Sequence, residues 1–544
     1  MRRLTNFLIP GIVFVCLFFL QATAFANNLA ITNVSLQSRN AALDTATVQF
    51  DISWDNSWKD STNHDAVWIV LKVQKSGGAF FHARLTTTGQ DPKDSAPGSN
   101  NDLEIYVPSD RMGAFVRRKI IGTGTVQSAS MQLTFNYNDA TSGYLQAGDT
   151  DSIVVKVIGV EMVFIPTATF RAGDATTVAA GPKAAFRQSS SDVDPWFIDS
   201  EATISVTAVA NSTYYYVSDG SSNEDATGAR FTIPSTFPKG YAAFYCMKYE
   251  LTEGLWVDFI NTLLSTQQSN RDITANPTSI GGKNSDTVAY RNTVSFTAGG
   301  GTVSGTATTG RPNRALSYLS WMDLCAFLDW AGLRPMTELE YEKVCRGPLS
   351  AVAGEYAWGS ATAPTVAATI TGSAELGLET ISTASANVQA TNTNLAGGDE
   401  FLGTNHEMGP LRVGIFATGS STRVTSGAGY YGVMEMTGNV WERAITVGNS
   451  DGRKFTGAHG DGILISGVGT TYDGNASVSN WPHIDTSNSN RGTTKGGGAG
   501  FRGGAWEDTP TASSWVSNRD NATTQIQTRD RNYGGRGVRT YDGS

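Results

Sequence analysis

The stretch SWMDLCAFLDWAGLRPMTELEYEKVCRG (residues 320–347) decides how this chain is read. Trp321, Leu324, Cys325 and Leu328 recur at helical spacing, and the run stops at Gly332, a residue free to take the left-handed backbone that closes a helix. Pro335 ends a short extended piece. Thr337 then opens a second helix with Glu340 three residues on: the hydroxyl accepts from the Glu340 N–H while the carboxylate reaches back to the N–H of Thr337. The result is a capped corner between two short helices. Upstream, TEGLWVDFINTLL repeats the logic, with Thr252 as N-cap, Glu253 in the first turn, and Leu255, Phe259 and Leu263 spaced four apart.

Residues 27–160 have another period. TVQFDISW places Val48, Phe50, Ile52 and Trp54 on one face, and AVWIVLKV is apolar without alternation, as expected of a strand covered on both sides. MQLTFNY and SIVVKVIGV continue the theme between Gly, Asp and Asn turns, which predicts an antiparallel β-sandwich. His64 and His82 stand alone within it and read as surface or packing residues. A second unit is expected to open at EMVFIPTATFRAGD and run over residues 161–544, with Gly/Ser/Thr-rich insertions near residues 268–310 and 360–400. The predicted class is α+β: a sandwich followed by a loop-rich domain.

The first residues set an expected location. Arg2 and Arg3 precede the short apolar run FLIPGIVFVCLFFL, and AFA at residues 24–26 supplies small residues for cleavage, so residues 1–26 read as a signal peptide and the chain as secreted or held at the cell surface. No later stretch reaches the ~20 apolar residues of a transmembrane helix. A net charge of -9 argues against a nucleic-acid partner, which would need a basic stripe. Beyond the signal, Cys246, Cys325 and Cys345 are an odd set, compatible with one disulfide in any pairing or with buried free thiols.

Five segments in order now resemble the formylglycine-generating enzyme (sulfatase-modifying factor) family: MVFIPTATFRAGD, FYCMKYELTEGLWVDFIN, the helix–corner–helix stretch, YYGVMEMTGNVWER, and FRGGAW with SNRD and GGRGVRT. The resemblance implies a loop-rich variant of the C-type lectin fold. It also implies an oxidase that converts a substrate cysteine to formylglycine through a copper-binding cysteine pair. Cu(I) is soft and wants thiolate sulfur. The family's pair lies just past the RGG motif, five residues apart, and those positions here are Asp508 and Ser513. No cysteine follows Cys345, so no slip in register restores the pair, and copper is not expected. A related branch holds iron with a histidine trio. The close H-x-x-x-H spacing of that branch is absent, which leaves His406, His459 and His483 as the alternative metal set.

Where the reactive thiols would sit, the chain carries Trp506, Glu507, Asp508, Ser513, Trp515 and Arg519. These read as a cleft for a glycan or protein ligand; alternatively the acids are solvated and Trp506 is core. The resemblance further carries a Ca²⁺ site onto Glu435, Gly438, Val440 and Glu442, hard oxygen donors in a kinked turn. The competing reading pairs Glu442 with Arg443 or Arg539. A second calcium site of the family falls near Asn387. The expected function is therefore non-catalytic: ligand binding or assembly outside the cell, including self-assembly. The alternatives are a metal-dependent oxidase with an altered site and a structural subunit of a filament or surface layer.

Overall fold

The computed structural model describes residues 28–543 except 76, 94, 95, 97, 176–184, 191–192, 210–212, 222, 277–279, 301–302, 363–369, 372–379, 382–408, 420, 469–470, 486 and 509–511. The expected signal peptide, Asn387, His406 and most of the expected 360–400 insertion lie outside the described residues.

Strands β1 (Ala30–Asn40), β2 (Thr45–Lys59) and β7 (Gly122–Asn136) form one antiparallel sheet in the order β1-β2-β7. β2 alternates as its sequence demands, with Ala46, Val48, Phe50, Ile52 and Trp54 buried. Facing it is an eight-stranded sheet built on β3 (Asp65–Lys75). This strand pairs with β4 (Phe80–His82), β6 (Ala114–Arg118) and β8 (Ile153–Ile165), and β5 (Leu103–Tyr106) closes the edge beyond β6. Beyond β8 the same sheet continues through Phe244–Met247, Gly537–Thr540 and Arg334–Pro335.

The expected boundary at residue 160 thus falls inside β8. Met162 pairs with Ala66 on one side and with Met247 on the other, so one sheet runs from the N-terminal sandwich into the C-terminal part. The unbroken apolar run of β3 now has its cause. Val67, Ile69, Leu71 and Val73 point into the sandwich core, while Ala66, Trp68 and Val70 point into the larger core of the C-terminal part. Trp68 is fully buried, and its Nε1 donates to the carbonyl of Ala331 at 2.8 Å.

The helices form where capping predicts. In α1 (Glu253–Ile260) the Thr252 side chain accepts from Leu255 N. Of the expected Leu255, Phe259 and Leu263, Phe259 is buried against Phe327 and Trp330, Leu263 is buried beyond the helix end, and Leu255 is partly exposed, its place in the buried face taken by Trp256 and Ile260. α2 (Ser265–Arg271) and a hairpin of Ser295–Thr297 with Thr306–Thr308 occupy the expected 268–310 insertion, tied down by Gln268 and Asn261 side-chain amides.

α3 (Trp321–Trp330) ends with Gly332 at φ 65, Gly332 N bonded to Asp329 O and Leu333 N to Leu328 O, which satisfies the last carbonyls. All ten residues of α3 are buried, so its acids need internal partners: Asp323 takes Arg529 and Arg271, and Asp329 accepts from Asp461 N and Ser477 N. α4 (Glu338–Arg346) has the Thr337–Glu340 capping box as read, and Glu340 also pairs with Arg334.

Replacing Trp68 with alanine removes the ring that joins the two cores. The expected loss is about 3–5 kcal/mol, read by denaturant unfolding, with sandwich and C-terminal part still unfolding in one transition because β8 belongs to both. Two separated transitions in the unsubstituted protein would contradict a shared sheet.

Candidate functional site

α4 organises the site. Glu338, Glu342 and Arg346 follow one another at four-residue spacing along a face with no exposure to water. Glu338 receives Arg502 at 2.8 Å and Arg519 at 2.7 Å, and its Oε1 also accepts from Thr446 Oγ1 and Val447 N. Glu342 receives Arg502 at 2.7 Å and the Gly173 amide at 2.6 Å, while Arg346 bridges Glu342 to Glu355. Burial alone would raise the Glu338 pKa, but Arg519 and Arg502 outweigh it and hold the carboxyl below its usual range.

Arg502 is the arginine of FRGGAW, at the end of Ala499–Arg502, which pairs antiparallel with Trp441–Ile445. After it come Gly503 and Gly504, at φ 93 and 78. A Cβ on Gly504 would lie 2.6 Å from Ser514 Oγ and one on Gly503 2.8 Å from Met436 O, so both glycines are required by close approach. Gly438 N donates to Gly503 O and Trp506 N to Asn439 O, each at 2.9 Å, which locks this loop to the turn of TGNVWE.

Past the glycines the residues expected to line a cleft separate into two groups. Trp506 is fully buried, its Nε1 bonded to Arg531 O and its ring stacked on Tyr290. Arg519 is also fully buried, held by Glu338 and by Tyr216 OH. Both belong to the interior rather than to a ligand-facing wall. Glu507, Asp508, Ser513 and Trp515 keep partial exposure. Glu507 is engaged by Arg531 and Asn532. Asp508 Oδ2 accepts from Ala505 N at 2.7 Å, and its pKa is raised, by burial first and by Glu507 as well.

The remaining thiols offer no substitute. Cys246, Cys325 and Cys345 are free and buried, and burial pushes Cys246 up to about 12 and the other two upward as well, so none is a thiolate at neutral pH. Three of the described histidines are likewise spent on packing, while His483 stays partly exposed with Nε2 3.6 Å from Asp451 Oδ2. His64 Nε2 meets Tyr245 OH at 2.9 Å, His82 lies between Lys72 and Met112 O, and His459 Nε2 accepts from Thr540 N. Among the described residues no group of three His, Cys, Asp or Glu side chains is placed to hold a metal.

The sulfatase-modifying factor enzyme 1-like domain family matches residues 206–541. The chain belongs to that family. The formylglycine-generating enzyme of Streptomyces coelicolor is 45% identical over 56 residues, 10% of this chain and 17% of that protein. The formylglycine-generating enzyme of Thermomonospora curvata is 40% identical over 60 residues, 11% and 19% of the two chains. The aligned pieces therefore span under a fifth of either relative.

In this sulfatase-modifying factor domain, the turn expected to take Ca²⁺ is kinked, with Glu435, Gly438 and Asn439 at φ 53, 84 and 61. Glu435 Oε1 accepts from Gly414 N, whereas its buried Oε2 has no hydrogen-bond partner among the described residues. Burial, with Glu442 nearby, raises the Glu435 carboxyl to about 7. Glu442 does pair with an arginine, but the partner is Arg536, bidentate at 2.7 Å on both oxygens; Arg443 serves backbone carbonyls and Arg539 pairs with Asp110. Glu250 stands beside them, accepting from Val440 N and Asn439 Nδ2. No feature of the ELTEG stretch marks Glu250 for this place.

Glu338→Gln is expected to destabilise the chain by about 3–5 kcal/mol, because two buried guanidiniums lose their carboxylate. A carboxyl with a lowered folded pKa stabilises above its unfolded value and loses that contribution as pH falls. The gap between wild type and Glu338→Gln in thermal melts should therefore narrow as pH drops below 4.5, the ordinary value of glutamate. A gap constant from pH 7 to pH 3 would refute the ion-pair account.

Proposed function

We propose that this protein is a non-catalytic member of its family, exported and acting in ligand binding or extracellular assembly. One observation carries the reading. Where thiol chemistry requires two reachable sulfurs, Asp508 and Ser513 present a carboxylate and a hydroxyl, and every described cysteine is buried with a raised pKa. Hard oxygen donors do not hold Cu(I), and a buried neutral thiol neither binds the metal nor exchanges with a substrate thiol. The partly exposed Glu507, Asp508, Ser513 and Trp515 then serve as contacts for a protein or glycan partner.

Calcium is the cofactor this reading takes. The unpaired Glu435 oxygen is a hard donor in need of a cation, and with the backbone carbonyls of Gly438 and Val440 it would hold the ion, Glu442 joining them by giving up one of its two bonds to Arg536. Its role is to fix the turn to which the RGG loop is hydrogen-bonded.

Incubated with Cu(I), oxygen and a cysteine-containing peptide, the purified chain should leave the peptide unchanged by mass spectrometry; conversion of the cysteine to an aldehyde would end the non-catalytic reading. Calcium at a hundredfold excess over its Kd should add about 2.7 kcal/mol of stability, visible as an upward shift in melting temperature that Glu435→Gln abolishes. An equal shift in that variant would remove Glu435 from the site.

A further inference from the structure

A second site lies where the N-terminal sandwich meets the C-terminal part. A cavity of about 440 Å³ opens between the end of β2, which contributes Trp58, and the segments carrying Lys248, Arg423 and Tyr430. Its size falls within the roughly 300–1,000 Å³ of small-molecule sites. Trp58 lies outside the family match, so the cavity wall is drawn from both parts of the chain.

Lys248 is the unusual member. It is 5% exposed, yet its ammonium has no hydrogen bond or ion pair to any described residue; it lies 4.6 Å from the centre of the Trp58 ring and 5.6 Å from that of Tyr249. A buried ammonium held only by aromatic faces keeps most of its hydrogen-bonding capacity unspent. The acids that feel it, Glu161, Asp65 and Glu435, are not in the cavity wall, and Asp65 is already committed to Trp54 Nε1, Ser57 Oγ and Trp58 N.

Among the described residues no aspartate or glutamate lines the cavity, although the chain as a whole carries a charge of -9. Among the described residues the second cation in the wall, Arg423, donates to the carbonyls of Cys345, Ala357 and Ala428 and lies 5.6 Å from the centre of the Tyr430 ring. Around these charges the wall is small and hydroxylated, with Ser421, Thr422 and Ser426 on one side and glycines 419, 429 and 432 leaving room. At the mouth Tyr430 is 37% exposed, its ring seated against the Gly347 backbone, where a Cβ would come within 2.3 Å.

We propose that this cavity binds an acidic saccharide, a pyranose whose carboxylate meets the Lys248 ammonium while its ring lies against Tyr430 and its hydroxyls face the serine and threonine wall. A carboxylate supplies the acceptor that Lys248 lacks. The exposed part of the Tyr430 ring beside hydroxyl donors suits a sugar ring better than an extended acidic peptide, which would leave that aromatic surface unused. The site does not depend on the reading of Asp508 and Ser513, so the thiol-oxidation assay and the test below fail independently.

The test is calorimetric titration of the full chain with trigalacturonate and with its methyl ester, which has the same shape without charge. The free acid should bind saturably and the ester at least tenfold more weakly. Tyr430→Ala, a substitution at an exposed position, should weaken the acid at least fivefold, and Lys248→Gln should erase the preference for acid over ester. Equal affinity for acid and ester, no binding of either, unchanged binding in Tyr430→Ala, or displacement by a polyglutamate peptide would each overturn the proposal.

Discussion

The carboxylate of Glu338 holds the C-terminal part together. It sits in the first turn of α4 and draws in Arg502, which precedes the two close-packed glycines, and Arg519, which returns from the far side of the same loop. In a domain with few and short helices, such pairs take over work that regular secondary structure does elsewhere. Each guanidinium is fully buried and has lost its water, so its partners are obligatory. The same logic repeats at Glu342 with Arg346, at Asp323 with Arg529, and at Glu442 with Arg536. Segments far apart in the chain, such as α4 and the Arg502 strand, are thus joined by charge at fixed points.

The second constraint is the sheet. β8 pairs with β3 on one edge and with Phe244–Met247 on the other, and Trp68 reaches from β3 to the end of α3. The N-terminal sandwich is therefore part of the family domain's own packing. β2, facing that sheet, sets Trp58 against Lys248, and the cavity there is lined by residues of both parts.

Local rules were legible in the sequence. The Thr337–Glu340 box, the Gly332 terminus, the Thr252 cap and the two-faced apolar run of β3 all follow from short-range spacing, and the structure has each of them. The family, too, could be read from its ordered segments. What could not be read was long-range. Arg519 looked like a cleft residue because nothing in SNRD shows that Glu338, far back along the chain, claims it. Trp506 lies within six residues of Phe501 and Arg502, but its burial depends on Tyr290 from a remote loop. For Glu442 the competing arginine reading named Arg443 or Arg539, whereas the arginine that reaches it is Arg536, from a segment far along the chain that local spacing does not point to. The unbroken sheet through β8 was missed for the same reason, since a composition shift near residue 160 resembles a boundary whether or not a strand crosses it.

The account's central claim is that this scaffold persists without its soft metal site. Competition for Cu(I) against a colorimetric chelator tests it most directly, with the wild-type chain beside a variant carrying both Asp508→Cys and Ser513→Cys. The account predicts that the wild type withdraws no copper and that the double variant takes up one Cu(I) per chain, because Arg502 and the paired glycines still hold the segment that leads into Asp508. Stoichiometric Cu(I) on the wild type would contradict it.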